Sequence, residues 1–221
     1  MTCTLSQTYQ NIKLKKYPVS IYATGFSFCY NEHMKEILFA TGNSRKINEA
    51  NNTLSVYDFA VKPIKIEIDE IQHQDPVEIT KAKARAAYEI THEPVVVSDT
   101  SWEIPALGGF PGGYMKDISE WFEAKDWLSL MARHNDKTIY CHEHVAYFDG
   151  EQLQHFVSSY KGIFIDNPRG RVDDGESIEQ VVILYGDLTL AEYLAKGEIA
   201  SAAEVLEHWR QFGEWYSISG I

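Results

Sequence analysis

The chain has 221 residues, 44% hydrophobic and 24% charged, with a formal net charge of −12. That length sustains one core of ordinary size, and the composition is that of a globular protein rather than a disordered or fibrous one. The acidic balance, with no Lys/Arg run longer than Lys15-Lys16, argues against bulk nucleic-acid binding, and no apolar run approaches membrane-spanning length. The three cysteines are widely spaced and form no CxxC, which points to a reducing, cytoplasmic compartment without a disulfide framework.

Residues 1–33 are polar, with a basic patch at Lys13, Lys15 and Lys16, and then "PVSIYATGFSFCY", a possible edge strand or hairpin. They form an N-terminal extension to a domain spanning 34–221, or else the domain's own start is Met34; both readings stand. From Glu36, "EILFA" is expected as a short buried strand, "TGNSRK" as the turn after it, and "SRKINEANNTLS" as a helix with Ile47, Ala50, Asn51 and Leu54 on one face. "FAVKPIKIEI" is a second strand. "DPVEITKAKARAAYEITHE" is a helix with Asp75 as cap, Pro76 at its first position and Glu78 closing a capping box.

"PVVVSD" is the next strand, apolar at each position up to Ser98, as strands buried on both faces are. "SEWFEAKDWLSLMARH" reads as one helix, and "TIYCHEHVAYF" passes through Asp149-Gly150 to "QLQHFVSSYKGIF" as a hairpin. "EQVVILY" is a further strand; "TLAEYLAKG" and "SAAEVLEHWRQFGEW" are closing helices. The expected fold is a single α/β domain with a mixed sheet.

Two constellations carry chemistry. In "ATGNSRKINEA", a Gly42 turn between strand and helix leaves backbone N–H groups outward, and Lys46 adds a point charge. This suits an anion, although a plain helix cap with a solvated lysine has the same appearance. The second is Glu70 with Asp99, each following a strand. Ligands in open α/β sheets bind beyond the carboxyl ends of strands, and Mg²⁺ takes one or two carboxylates plus substrate phosphates. Asp99 also reads as a turn-capping residue, and Glu70, beside Asp69 and near Asp75, as surface charge; those alternatives stay open.

The stretches "FATGNSRKINEA", "IDEIQHQDPVEITKAKARAA" and "VVVSDTSWEIPALGGFPGGYMKD" occur in that order and together resemble the inosine triphosphate pyrophosphatase family. The likeness is close over residues 36 to about 120 and weaker through "GIFIDNPRG" and "TLAEY". It implies an elongated mixed β-sheet with helices forming two lobes around a central cleft, and usually a homodimer. It also implies hydrolysis of a nucleoside triphosphate to monophosphate and pyrophosphate with Mg²⁺.

By position, the resemblance makes Thr41, Gly42, Asn43 and Lys46 phosphate ligands, Glu70 a metal ligand, and Asp99 a metal ligand or base to the attacking water. Thr100, Gly112, Gly113, Tyr114 and Lys116 then line the cleft near phosphate and sugar. Ser98 stands where many members carry an acidic residue. The base-reading half departs further, with Asp174, Gly175, Glu176 and Ser177 in place of a Phe-Gly-aromatic-Asp motif. Ser201-Ala202-Ala203 replaces Ser-His-Arg. Altered base selectivity is therefore expected. A non-catalytic nucleotide-binding homologue is the alternative.

His142 and His144 share a strand face, but two histidines without a third ligand are expected to be surface partners rather than a zinc site. Trp121, Trp127, Trp209 and Trp215 are expected in the core or a dimer contact. Trp102 or Tyr114 is a candidate stacking face, and Arg169 and Arg171 belong to a solvated loop.

Overall fold

The computed structural model describes residues 34–172, 176–196 and 206–219. The expectations for residues 1–33, Asp174, Gly175 and Ser201 to Ala203 fall outside them. The described strands are β1 (Lys35–Ala40), β2 (Phe59–Ile64), β3 (Val95–Ile104), β4 (Phe110–Gly112), β5 (Thr138–Phe148), β6 (Leu153–Phe164) and β7 (Val182–Ile183). Helices are α1 (Ser44–Leu54), α2 (Pro76–Thr91), α3 (Met115–Trp121), α4 (Ala124–Met131), α5 (Leu190–Ala195) and α6 (Glu207–Ile218). One mixed sheet runs β2-β1-β3-β5-β6-β7, with β4 paired to β3. The β2-β1-β3 part is parallel and the remainder antiparallel.

The valine run at the head of β3 is uninterrupted because both faces are covered. Val96 packs with Phe39, Leu54, Trp209 and Phe212 under α1 and α6. Val95 and Val97 pack on Ala84 and Ala87 of α2. A separate core, with Trp102, Trp127, Met131, Ile139 and Ile178, builds the second lobe. Burying each such large side chain contributes about 1.5–3 kcal/mol. Trp209 meets Phe39 edge-on at 5.1 Å between ring centroids, the arrangement aromatic quadrupoles favour.

Local chemistry sets the helix ends. Asp75 caps α2, accepting from Val77 N at 2.9 Å. The expected return bond from Glu78 is not made: His73 Nδ1 accepts from Asp75 N at 3.0 Å, and Glu78 pairs with Lys81. The helix expected through 119–134 is two helices, because Phe122 is extended and Glu123 and Asp126 form a new capping box.

Three strand expectations also change. The second strand stops at Ile64, so Glu70 lies on the irregular connection to α2. The strand expected over "EQVVILY" shrinks to Val182–Ile183, since Ser177–Gln180 form a 3-10 turn. Most consequential, β3 does not end at Asp99 but continues to Ile104. Its pairing with β5 holds Ser98 opposite Val145 and Asp99 opposite His144 without a break.

Candidate active site

On its other edge β3 is discontinuous. β1 pairs with it only at Val95 and Val96, and β4 begins at Trp102. Residues 97–101 between them face no described strand on that edge. The gap is the floor of a cleft of about 790 Å³. Asn43, Lys46, Glu70, Asp99, Thr100, Gly112, Gly113 and Lys116 all line it. A side compartment of about 460 Å³ shares Asn43, Lys46 and Glu70 and adds Thr41, Gly42, Lys65, Lys83 and Ser98. Tyr114 precedes α3 and is 41% exposed, outside both linings.

The Thr41–Lys46 turn differs from its expected form. Asn43 Oδ1 accepts from Arg45 N at 2.9 Å and Lys46 N at 3.2 Å, while Asn43 N donates to Thr41 Oγ1 at 3.1 Å. Those backbone donors are consumed by the cap, so they are not left outward for an anion. The positive character of this end of the cleft therefore rests on lysine side chains. Gly42 needs no left-handed φ either, and a Cβ there meets only the Lys65 side chain at 3.7 Å. Gly113 is the demanding position. A Cβ at that point lies 2.0 Å from His73 O and 2.7 Å from Ile79 Cδ1, so only glycine lets the β4–α3 loop lie against the connection carrying Glu70.

Lys83, on α2, was not singled out by the sequence, where "KAKARAA" has the look of a solvated helix face. Its Nζ lies 2.7 Å from Glu70 Oε1, and Lys116 Nζ lies 3.0 Å from Glu70 Oε2. Burial opposes charge on Glu70, but these two ammonium groups outweigh it and lower its pKa. Burial likewise opposes charge on Lys83, and the carboxylates of Asp99 and Glu70 outweigh it, raising its pKa. Lys83 thus joins the two carboxylates that the sequence singled out. Asp99 Oδ1 accepts from its neighbour Thr100 N at 3.0 Å.

Acidic groups dominate the far wall. Thr100 Oγ1 donates to Glu143 at 2.9 Å, and Trp102 Nε1 donates to Glu176 at 2.8 Å. Arg45 approaches Glu179 at 3.8 Å, and Glu179 is 5% exposed. Burial pushes the Glu176 carboxyl up to about 7, against the Trp102 hydrogen bond. Burial and then the charge of Glu143 push Glu49 up to about 7. Ser177 is committed elsewhere: it accepts from Trp127 Nε1 at 3.0 Å and donates to Phe122 O. Arg169 is held by Asp187 O at 2.8 Å and Glu192 at 3.4 Å. Glu143 and Glu179 escaped the sequence reading because neither belongs to a motif; only strand register and the 3-10 turn bring them to the cleft.

His144 is not a surface residue, at 3% exposed. Its ring lies 3.0 Å from Ser101 Oγ and 3.1 Å from His155 Nε2, and burial, then His155, hold its pKa down to about 4. Among the described residues no group of three or more His, Cys, Asp or Glu is placed to hold a metal ion. Trp127 and Trp209 are core residues, Trp215 packs on the α6 core, and Trp121 is 69% exposed. Trp102 lines the cleft but is otherwise buried. No helix among the described residues is long and apolar enough to cross a membrane.

Two structures of similar fold are a HAM1 protein from Coxiella burnetii and the Ham1 protein of Staphylococcus aureus. The first has a TM-score of 0.66 at 22% identity, covering 83% of this chain and 99% of that one. The second has 0.64 at 21% identity, covering 82% and 100%. In sequence, a dITP/XTP pyrophosphatase of Methanopyrus kandleri is 30% identical over 185 residues, 82% of this chain and 96% of that protein. An inosine triphosphate pyrophosphatase of Yarrowia lipolytica is 30% identical over 141 residues, 63% of this chain and 74% of that protein. The Ham1 family model matches residues 37–196, the stretch that holds the cleft with Glu70 and Asp99. The chain belongs to the Ham1 family.

Proposed function

We propose that the protein is a nucleoside triphosphate pyrophosphohydrolase that releases pyrophosphate and a nucleoside monophosphate. The observation that carries this reading is the convergence of Lys46, Lys116, Glu70 and Asp99 on one cleft, with Lys83 in the compartment beside it paired to Glu70. The names of its relatives, dITP/XTP pyrophosphatase and inosine triphosphate pyrophosphatase, support the same reaction class. A triphosphate tail brings several negative charges into this acidic protein, and three local ammonium groups offset them.

Mg²⁺ fits the donor set in one respect only. Two carboxylates do not make a resident cage, and among the described residues no group of three or more His, Cys, Asp or Glu is placed to hold a metal ion. They suffice for an ion that arrives with the phosphates, since Mg²⁺ keeps most of its shell as water and phosphate oxygen. Glu70 and Asp99 are the residues that would hold it. Bound there, the ion supplies Lewis-acid polarisation of the phosphoryl group. Were Glu70 to hold the ion, Lys83 and Lys116, its present partners, would be left to bind phosphate oxygens. Asp99, fixed by β3, accepts the proton of the water that attacks the α-phosphorus. The lysines balance the charge that builds on the departing pyrophosphate.

In this reading the nucleoside lies toward Trp102, Glu143, Glu176 and Glu179, and the protein works as a cytoplasmic homodimer. A buried free thiol at Cys141 suits a reducing compartment, and exposed Trp121 is the kind of anchor an interface buries. Incubation with a panel of nucleoside triphosphates and Mg²⁺, scored for pyrophosphate and monophosphate together, tests the reaction. Equal yields of the two are expected; orthophosphate release, or no turnover of any triphosphate, overturns the reading.

A further inference from the structure

Among the described residues, one buried side-chain polar atom has no hydrogen-bond partner, and it is Ser98 Oγ. Ser98 is 7% exposed and lines the side compartment with Lys46, Lys65 and Lys83. Its position leaves it nothing to bond within the protein. Val96, two residues earlier on the same strand face, and Val145, directly opposite on β5, both belong to the apolar core. Continuous pairing with β5 fixes the backbone, so the Ser98 side chain stays at the edge of the compartment. An unpaired buried hydroxyl is destabilising, and native structures rarely retain one without a reason.

The compartment says what the missing partner is. It holds three ammonium groups against one carboxylate, Glu70, which is already engaged by Lys83 and Lys116. Lysine only donates hydrogen bonds, and the Thr41 hydroxyl, already accepting from Asn43 N, has its proton left to give. A ligand completing this set must be an acceptor, anionic and compact. We propose that Ser98 is a binding residue for the terminal phosphates, its hydroxyl donating to an oxygen of the leaving pyrophosphate beside Lys46, Lys65 and Lys83. The assignment of the anion as a leaving group rests on the proposed pyrophosphohydrolase reaction.

This role has a signature that a merely structural serine lacks. Removing the hydroxyl relieves a cost in the free protein and loses a bond in the complex, so stability and affinity move in opposite directions. The test is Ser98→Ala in the full chain, with thermal melting and calorimetric titration of inorganic pyrophosphate without divalent ions. The expected result is a melting temperature equal to or above the parent's. Pyrophosphate affinity is expected to be about tenfold weaker, and adenosine affinity unchanged within about twofold. Unchanged pyrophosphate affinity overturns the proposal and shows that only water meets the hydroxyl. A lower melting temperature with parallel loss of both ligands shows a structural role and overturns it as well. If Ser98→Ala weakens pyrophosphate binding but no triphosphate is hydrolysed, the proposed reaction fails and the anion site stands.

Discussion

Lys83 Nζ and Glu70 Oε1 lie 2.7 Å apart, with the two side chains 17% and 22% exposed. Lys83 also lies within the field of Asp99, so one ammonium group feels both carboxylates while contacting Glu70. Like charges gathered in a cleft are costly without such a partner. The pairing, with Lys116, holds the Glu70 pKa below the ordinary carboxylate value before any ligand arrives.

If Asp99 and Glu70 serve the reaction as proposed, Asp99→Asn and Glu70→Gln should each lower turnover on the order of 100-fold or more. Steady-state kinetics beside a far-ultraviolet circular dichroism spectrum checks this. A well-folded Asp99→Asn variant with parental activity sinks the assignment.

Lys83→Met and Lys46→Ala separate the two lysines. Each is expected to cost about 2–4 kcal/mol in transition-state stabilisation, read from kcat/KM. Lys83→Met should also lower thermal stability, because it removes the ammonium group that lies in the field of both Asp99 and Glu70 and leaves Glu70 with Lys116 alone, whereas Lys46→Ala should not. Equal melting temperatures for the two variants count against the bridging role of Lys83.

An ionised carboxylate accepts hydrogen bonds but does not donate them, so if the nucleoside lies as proposed, the wall formed by Glu143, Glu176 and Glu179 favours a base edge with N–H groups over one of keto oxygens above the Glu176 pKa of about 7. The preference for inosine over adenosine triphosphate is therefore expected to be within about tenfold, or reversed, since each charged hydrogen bond contributes roughly 1.5–3 kcal/mol. A hundredfold preference for the inosine form in kcat/KM shows that the acidic wall does not read the base.

Glu49 gives a pH-dependent stability. Its folded pKa of about 7 lies above the ordinary carboxylate value, so the folded chain holds a proton that the unfolded chain has lost. Stability from this group is present at low pH and falls as pH rises from about 4.3 to 7. His144 runs the other way: its folded pKa of about 4 makes stability fall as pH drops from about 6.5. Comparing Glu49→Gln with the parent cancels the histidine. The variant should be about 1–3 kcal/mol more stable at pH 8 and near parity at pH 4, by urea midpoints. A difference that does not grow with pH contradicts the burial of this group.

Gly113→Ala places a methyl group 2.0 Å from His73 O, and the loop must shift to admit it. Overpacking of this kind costs about 1–3 kcal/mol. Substrate KM should rise more than kcat falls, because the loop closes the cleft without touching the reacting atoms. Parental stability and KM refute the close approach.

Elements governed by neighbouring residues were legible in the sequence. Asp75 and Pro76 announce α2 because a cap is a contact between residues two apart. The valines of β3 announce a strand covered on both faces. What failed depended on partners distant in sequence. Ser98-Asp99-Thr100-Ser101 has the composition of a turn, yet β5 pairs with all four. Lys83 has the composition of a solvated helix face, yet the 65–75 connection folds over it to bring Glu70. That Asn43, Lys46, Glu70, Asp99 and Lys116 gather at one cleft was legible through their motifs. The acidic wall was not, because Glu143 and Glu179 acquire their place from register and from a 3-10 turn.

The interruption in the β3 edge divides labour between two kinds of chain. Asp99 is anchored by a ladder that runs from Val95 to Glu103, whereas Glu176 and Glu179 stand on a short turn tied to the second lobe through Trp102 and Trp127. The turn lies outside the ladder and meets it at the hydrogen bond from Trp102 to Glu176. If the proposed function holds, a protein built this way would change its nucleobase preference by exchanging residues of that turn while β5 keeps Asp99 in register, which makes residues 176–179 the place to redirect its selectivity.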